Sequence, residues 1–143
     1  MKAGIKSYSL DTNYILRFVL RDVEKQYLYA ANIFQMMAEG KLILRCDPII
    51  LGEVVFVLQS FYKVPKVEIL TALEPIFISD GLVMQNKDRY LKALSLYASS
   101  NIHFGDACAC STALEESEGR LLSFDKDISS TSGISRIESI STL

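Results

Sequence analysis

The chain has 143 residues, of which 50% are hydrophobic and 22% are charged. This length and composition predict one folded domain and exclude an extensively disordered chain. A net charge of −2 gives no indication of a broad basic surface for nucleic acid. Bound cations or local arginine and lysine residues still permit action on a polyanion, so net charge alone does not decide the class of substrate. No apolar run reaches the roughly 18 residues of a membrane span, and the N-terminal MKAGIKSYSL is too short and too polar for a secretory signal. We therefore expect a cytoplasmic protein that does not enter the membrane.

Segments typical of strands and helices alternate along the chain. The predicted strands are, in order, IKSYSL, KLILR, GLVMQ and RLLSF. The helical segments between them have recognisable ends: Gly40 is placed to stop the second, Asp47 and Pro48 to start the third, and Pro75 to end or kink the fourth. This alternation predicts an α/β fold with a mainly parallel sheet covered by helices on both faces.

The C-terminal part is rich in serine from about residue 128. Within it, RIESI predicts a weak edge strand, and we expect the end of the chain to be frayed. The sequence contains no repeat of fixed period and no linker that would divide it. We therefore expect a single domain over residues 1–143.

Cysteine and histidine are too few, and too closely or too widely spaced, to predict a zinc site. The two thiols of the CAC sequence have one residue between them, whereas zinc knuckles need two or more. Small, buried, reduced thiols are the expected state of Cys46, Cys108 and Cys110. His103 is the single histidine, and we expect a structural or surface role for it.

Two aspartates follow predicted strands. Asp11 comes after IKSYSL, and Asp125 comes after RLLSF. Because parallel strands joined by right-handed crossovers end at one edge of the sheet, the two carboxylates can converge there. Each aspartate taken alone is equally well explained as a turn residue.

Two further carboxylates have both a structural and a functional explanation. Glu53 is the single charge in IILGEVVFVL, a segment so apolar that we expect a largely buried helix. A carboxylate there is costly unless it reaches solvent, pairs with a cation or binds a metal. Asp106 precedes ACACSTAL, and helix N-capping is its simplest role. Clustered together, these four carboxylates would suit a hard divalent cation such as Mg²⁺ or Mn²⁺.

Four motifs in this order resemble the PIN domain, and most closely the VapC-type ribonuclease toxins of toxin–antitoxin systems. They are LDTNYILRFVL, ILGEVVFVLQSFY, FGDACACSTA and LLSFDKDI, and the resemblance extends over roughly residues 9 to 128. It implies a three-layer α/β/α fold with a central, mainly parallel sheet. It also implies an acidic pocket that holds Mg²⁺ or Mn²⁺, formed here by Asp11, Glu53, Asp106 and Asp125.

The resemblance implies supporting roles for three more residues. Asn13 would orient Asp11 or a metal-bound water, Ser123 would hydrogen-bond the acidic pocket, and Asp127 is a further acid beside it. The implied activity is endoribonuclease cleavage of RNA by a metal-activated water. The implied partners are an antitoxin protein and a second copy of the chain, since the helices around Phe34 and Phe56 leave room for a homodimer.

Two other phosphate-handling functions lack residues that they need. A phosphatase of the haloacid dehalogenase type needs a second aspartate where Asn13 stands, and a receiver-like phosphoacceptor needs an early acidic pair that is missing. The remaining alternative is a PIN fold without catalysis that serves as an RNA- or protein-binding module. Retention of all four acids favours the enzyme.

Overall fold

A computed structural model describes residues 4–141 and contains helices alternating with short strands. In chain order, the elements are β1 (Ser7–Ser9), α1 (Thr12–Leu20), α2 (Glu24–Ala38), β2 (Ile43–Arg45), α3 (Pro48–Ser60), α4 (Lys66–Phe77), β3 (Leu82–Val83), α5 (Lys87–Ala98), α6 (Phe104–Glu116), β4 (Arg120–Leu122), a 3-10 helix (Lys126–Ser130) and β5 (Ser135–Ile137). The predicted α/β class is confirmed. The chain forms two compact units that divide between Lys87 and Asp88, and the single domain expected over residues 1–143 stays a prediction.

The first unit contains a parallel sheet with the strand order β1-β2-β3. Tyr8 of β1 lies opposite Leu44 of β2, which in turn lies opposite Leu82 of β3. Backbone bonds continue this pairing beyond the strands, since the Leu10 N–H donates to the Arg45 carbonyl at 2.8 Å. All three strands therefore end at one edge of the sheet, which is where β1 leads into Asp11.

Helices α1 and α2 pack against each other through aromatic rings. The Phe18 ring stacks on Tyr27, with centroids 5.7 Å apart, and meets Phe34 edge-on at 4.8 Å. Phe34 is buried, so it belongs to the core and is not available to a dimer partner. Gly40 ends the α2 region with a φ of 75°, a left-handed conformation that glycine adopts at little cost. The stop predicted at Gly40 is confirmed.

Helix α3 begins as predicted but is less buried than expected. The Asp47 side chain accepts a hydrogen bond from the Ile49 N–H at 3.0 Å, and Pro48 is the first helical residue. One face is buried, but the opposite face exposes Ile49 (71%) and Phe56 (68%). The expectation of a largely buried helix was wrong, because a segment with almost no polar residues does not indicate which face packs inward.

Helix α4 passes through its proline. It extends from Lys66 to Phe77 and includes Pro75, so the predicted stop comes two residues later than the proline itself. A proline so near the end removes one backbone donor from the last turn, where few further hydrogen bonds depend on it. Buried side chains of α4 then pack against α3.

The second unit has its own small parallel sheet, in which β4 pairs with β5. Leu121 lies opposite Arg136, so the weak strand predicted in RIESI is present, although it begins one residue earlier. Gly119 precedes β4 with a φ of 79°, and a Cβ there would lie 2.0 Å from the carbonyl oxygen of Gly133. This close approach of two backbones requires glycine.

Helices α5 and α6 are tied together by polar groups within the second unit. The buried Ser111 hydroxyl donates to the Arg89 carbonyl at 2.8 Å. The Arg89 guanidinium also binds Glu115 and Glu116. Over residues 4–141, every helix is too short or too polar to cross a bilayer.

Candidate active site

Asp11 is held by the first turn of α1. Its Oδ1 accepts a hydrogen bond from the Thr12 N–H at 2.8 Å, which makes Asp11 the N-cap of the helix. The side chain caps a helix and is also exposed, so a structural role at the turn and a role as a metal ligand are both compatible with its position. Its second oxygen, Oδ2, has no hydrogen-bond partner among residues 4–141 and faces no competitor for a ligand.

Glu53 lies beside Asp11 because of Thr12. The Thr12 hydroxyl donates to Glu53 Oε2 at 2.5 Å, which connects the first turn of α1 to the middle of α3. Glu53 lies on the exposed side of α3, so the interpretation in which this glutamate reaches solvent is confirmed. Sequence reasoning gave Thr12 no role beyond a turn, because its partner is 41 residues away.

Asp11 lines two openings in the surface, and Glu53 lines one of them. The larger, which we call the Thr12 cavity, has a volume of about 480 Å³ and is lined by Asp11, Thr12, Asn13, Leu16, Arg17, Glu53, Val57, Phe61 and Tyr62. The smaller, the Tyr29 cleft, has a volume of about 260 Å³ and is lined by Asp11, Asn13, Tyr14, Arg17, Gln26 and Tyr29. Asp11, Asn13 and Arg17 line both. The carboxylate of Asp11 is therefore reached from two sides.

Asn13 stands where the resemblance places it. It is exposed and lines both openings beside Asp11. Within residues 4–141, its side chain makes no hydrogen bond that would hold it against Asp11. Its orienting role stays a prediction.

Arg17 differs from the other cations that flank the motifs. Its side chain is 20% exposed, and Nη1 lies 3.1 Å from Asp22 Oδ2. Its Nε is buried and has no hydrogen-bond partner in the described part of the chain. The Arg21 guanidinium, in contrast, lies over the Tyr27 ring, 4.0 Å from its centroid. Arg17 follows Asn13 by four residues, which is about one helical turn, so the sequence spacing places the two residues on the same face of α1.

Ser123, Asp125 and Asp127 form one turn in the second unit. The Ser123 hydroxyl oxygen accepts from the Asp125 N–H at 3.0 Å, and Asp125 Oδ1 accepts from the Asp127 N–H at 2.9 Å. The Arg136 guanidinium donates to the Ser123 carbonyl at 3.0 Å and holds this turn against β5. Ser123 thus contacts the backbone of Asp125, and its role in an acidic pocket stays a prediction.

Asp106 lies in the first turn of α6, whose N-cap is His103. The simplest role expected for Asp106, capping the helix, was therefore wrong by position, although a carboxylate in the first turn still complements the helix dipole. Burial raises the pKa of the Cys110 thiol one turn further on, and the negative charge of Asp106 adds to that rise. Asp106 is half-buried, so its charge acts on these neighbours with reduced screening.

The donor chemistry of the first unit suits a hard cation. Asp11 and Glu53 each use one carboxylate oxygen in the hydrogen bonds from Thr12, and Mg²⁺ and Mn²⁺ prefer such oxygens as ligands. Over residues 4–141, no three His, Cys, Asp or Glu side chains are grouped so that they could hold a metal ion. Asp11 and Glu53 belong to the first unit, and Asp106 and Asp125 to the second. The convergence of all four carboxylates on one ion stays a prediction.

Comparison with known proteins adds no relative to this description. No protein-family model matches the chain, and none of the curated proteins matches it.

Proposed function

We propose that this protein is a Mg²⁺- or Mn²⁺-dependent endoribonuclease with a three-layer α/β/α fold of the PIN type, and that it acts as the toxin of a toxin–antitoxin system. One observation carries the proposal. Thr12 holds Asp11 with its backbone N–H and Glu53 with its hydroxyl, so that two distant acids of the resemblance line one cavity at the carboxyl edge of a parallel sheet. Such edges are where open α/β sheets bind ligands.

In this proposal, a divalent ion would be held by Asp11, Glu53, Asp106 and Asp125. Such an ion would supply the Lewis-acid chemistry for hydrolysis of an RNA phosphodiester to a 5′-phosphate and a 3′-hydroxyl. The chain's own groups fix the ligands in place. Thr12 limits the rotation of Glu53, and the Ser123 hydroxyl shapes the turn that presents Asp125.

Protein partners form the second part of the proposal. An antitoxin would block the acidic pocket, and a second copy of the chain would cover the exposed apolar face of α3. That face includes Ile49 and Phe56, and solvent-exposed apolar side chains of this size are typical of protein interfaces. Light scattering on the purified protein tests the dimer, and a short neighbouring reading frame for a DNA-binding protein would support the antitoxin.

The same exposed face supports a second candidate, a PIN-fold RNA- or protein-binding module without catalysis. The two candidates differ in metal binding, because only the enzyme needs a divalent ion. Calorimetric titration with Mn²⁺ distinguishes them: the enzyme binds the ion, and the silent module does not.

Charge-neutralising substitutions test the enzyme directly. We expect Asp11→Asn, Glu53→Gln, Asp106→Asn and Asp125→Asn each to reduce Mn²⁺-dependent RNA cleavage by roughly a hundredfold or more. Asparagine also caps helices well, so Asp11→Asn should leave stability almost unchanged. Asp47→Asn is the matched control, since Asp47 is another exposed N-cap aspartate and lies outside the Thr12 cavity. Full activity in both Asp11→Asn and Asp106→Asn would refute the proposal.

A further inference from the structure

Arg17 is a cation beside two carboxylates with which it does not pair. It lines both the Thr12 cavity and the Tyr29 cleft, next to Asp11 in each. Its ion pair is made instead with Asp22, just beyond the end of α1. The charge of Arg17 is therefore not used to neutralise the acids, and it remains available at the point where the two openings meet.

The donors of Arg17 are only partly used. Nη1 binds Asp22, whereas Nε is buried and has no acceptor within residues 4–141. A buried N–H without an acceptor destabilises the folded protein, but a ligand cannot reach Nε while it is buried. Nη2 makes no hydrogen bond within residues 4–141, so it is the nitrogen that can bind an acceptor supplied by a ligand. An Arg17 that served only to pair with Asp22 would account for the contact of Nη1, but not for the burial of Nε without an acceptor. Phosphate oxygens are suitable acceptors, because guanidinium binds them through two parallel N–H groups.

Exposed aromatic rings line the openings on either side of Arg17. Tyr29, 56% exposed, lies in the Tyr29 cleft, and Phe61, 76% exposed, lies in the Thr12 cavity. The Phe61 ring meets Tyr62 edge-on, with centroids 4.8 Å apart, which restricts its motion. A ring as exposed as that of Tyr29 does not belong to the core. Exposed rings beside a phosphate-binding cation are typical of surfaces that stack unpaired bases.

We infer that Arg17 binds a backbone phosphate of single-stranded RNA, and that the bases on either side of that phosphate lie against Tyr29 in one opening and Phe61 in the other. This assignment rests on the proposed nuclease function and adds a path for the substrate. The RNA crosses the first turns of α1, and the phosphate beside Arg17 is next to Asp11.

Binding of a fluorescently labelled, unstructured RNA tests the assignment, with Ca²⁺ in place of Mg²⁺ and anisotropy as the readout. We expect Arg17→Met to weaken binding roughly tenfold and to reduce the slope of log affinity against log salt concentration by about one. Asp22→Asn breaks the same ion pair from its other side and should leave the affinity of the RNA unchanged or higher. A purely structural Arg17 would instead make the two variants weaken binding alike.

The contact between the bases and the aromatic rings is tested by a variant and a matched control. Phe61→Ala should weaken RNA binding roughly tenfold, whereas Ile78→Ala should not, because Ile78 is also an exposed apolar residue but lines neither opening. If Arg17→Met fails to fold, Arg17→Lys replaces it. Lysine keeps the charge and loses the planar fork, so the salt slope should persist while affinity falls.

Failure of this inference is distinguishable from failure of the proposed function. A wild-type protein that cleaves RNA, together with an Arg17→Met protein that binds RNA with the same affinity and salt slope, overturns the Arg17 assignment alone. Equal losses in Phe61→Ala and Ile78→Ala overturn the assignment of the bases. A wild-type protein that neither binds nor cleaves any RNA overturns both.

Discussion

Thr12 Oγ1 donates a hydrogen bond to Glu53 Oε2, and the two residues are 41 positions apart in the sequence. The same threonine donates its backbone N–H to Asp11. One small residue thus fixes the spacing between two carboxylates that come from different helices. Hydrogen-bonding groups that hold metal ligands in this way commonly matter almost as much as the ligands themselves.

Thr12→Val removes the hydroxyl while keeping the shape of the side chain. Because Glu53 loses the one hydrogen bond to α1 that residues 4–141 provide, we expect Mn²⁺ affinity to fall roughly tenfold to a hundredfold. The backbone N–H that binds Asp11 is retained, so thermal stability should change little. Titration calorimetry measures the affinity. Thr71→Val is the control, since the Thr71 hydroxyl binds the Val67 carbonyl within α4 and lies in neither opening; equal affinity in wild type and Thr12→Val would contradict the expectation.

Local signals in the sequence predicted the elements of the fold well. Asp47 followed by Pro48 starts α3 as expected, and Gly40 ends the α2 region with a positive φ. These signals work because each depends on backbone geometry within a few residues. The alternation of such elements was then sufficient to predict parallel strands.

The same local signals could not predict contacts between residues that are far apart in the sequence. The exposed face of α3 was missed because Ile49 and Phe56 are as apolar as the buried residues between them, and only packing against other elements decides which side is covered. The bond from Thr12 to Glu53 and the unpaired Nε of Arg17 likewise depend on how α1 lies beside its neighbours. The four candidate acids were singled out by their positions in the sequence and by resemblance, and the structure relates Asp11 to Glu53 through Thr12.

Ser123→Ala tests the turn that presents Asp125. The Ser123 hydroxyl oxygen accepts the Asp125 N–H at 3.0 Å, and its loss should lower the free energy of unfolding by about 1 kcal/mol and reduce RNA cleavage roughly tenfold. Ser123→Thr keeps the acceptor and should retain activity. Ser130→Ala serves as the control, because it also loses a hydrogen bond, from Ser130 to the Asp127 carbonyl, without touching Asp125. Comparable cleavage by Ser123→Ala and Ser130→Ala would argue against a role for this turn.

Gly119→Ala should destabilise the second unit strongly. A Cβ at this position meets the Gly133 carbonyl oxygen at 2.0 Å, and its φ of 79° disfavours any other residue, so we expect a loss of roughly 2 kcal/mol or more. Gly52→Ala is the counterpart within α3, where a Cβ meets nothing within 4 Å. Replacing that helical glycine should stabilise the protein by about 1 kcal/mol. Urea unfolding of the two variants measures the difference, and a Gly119→Ala protein as stable as wild type would show that β4 and β5 do not approach this closely.

The cysteines offer a test based on pH. All three thiols are free, and Cys108 is half-buried, whereas Cys46 and Cys110 are buried. Burial raises the pKa of the Cys108 thiol from 9.0 to about 11. Burial, together with the negative charge of Asp47, does the same to Cys46. Because the thiolate is the reactive form, both residues should be largely inert at neutral pH while the protein is folded.

Alkylation by iodoacetamide, followed by mass spectrometry of the folded protein, measures this directly. Below its pKa, a thiol gains about tenfold in thiolate for each pH unit, so the rate for Cys108 should keep rising as the pH approaches about 11. In urea, where burial is lost, the rate should level off near the ordinary pKa of 9.0. The unfolded protein thus provides the control for reagent access and intrinsic reactivity. If the alkylation rate of Cys108 in the folded protein already levels off at a pH near the ordinary pKa, the Cys108 thiol is not shielded by α6 and its neighbours.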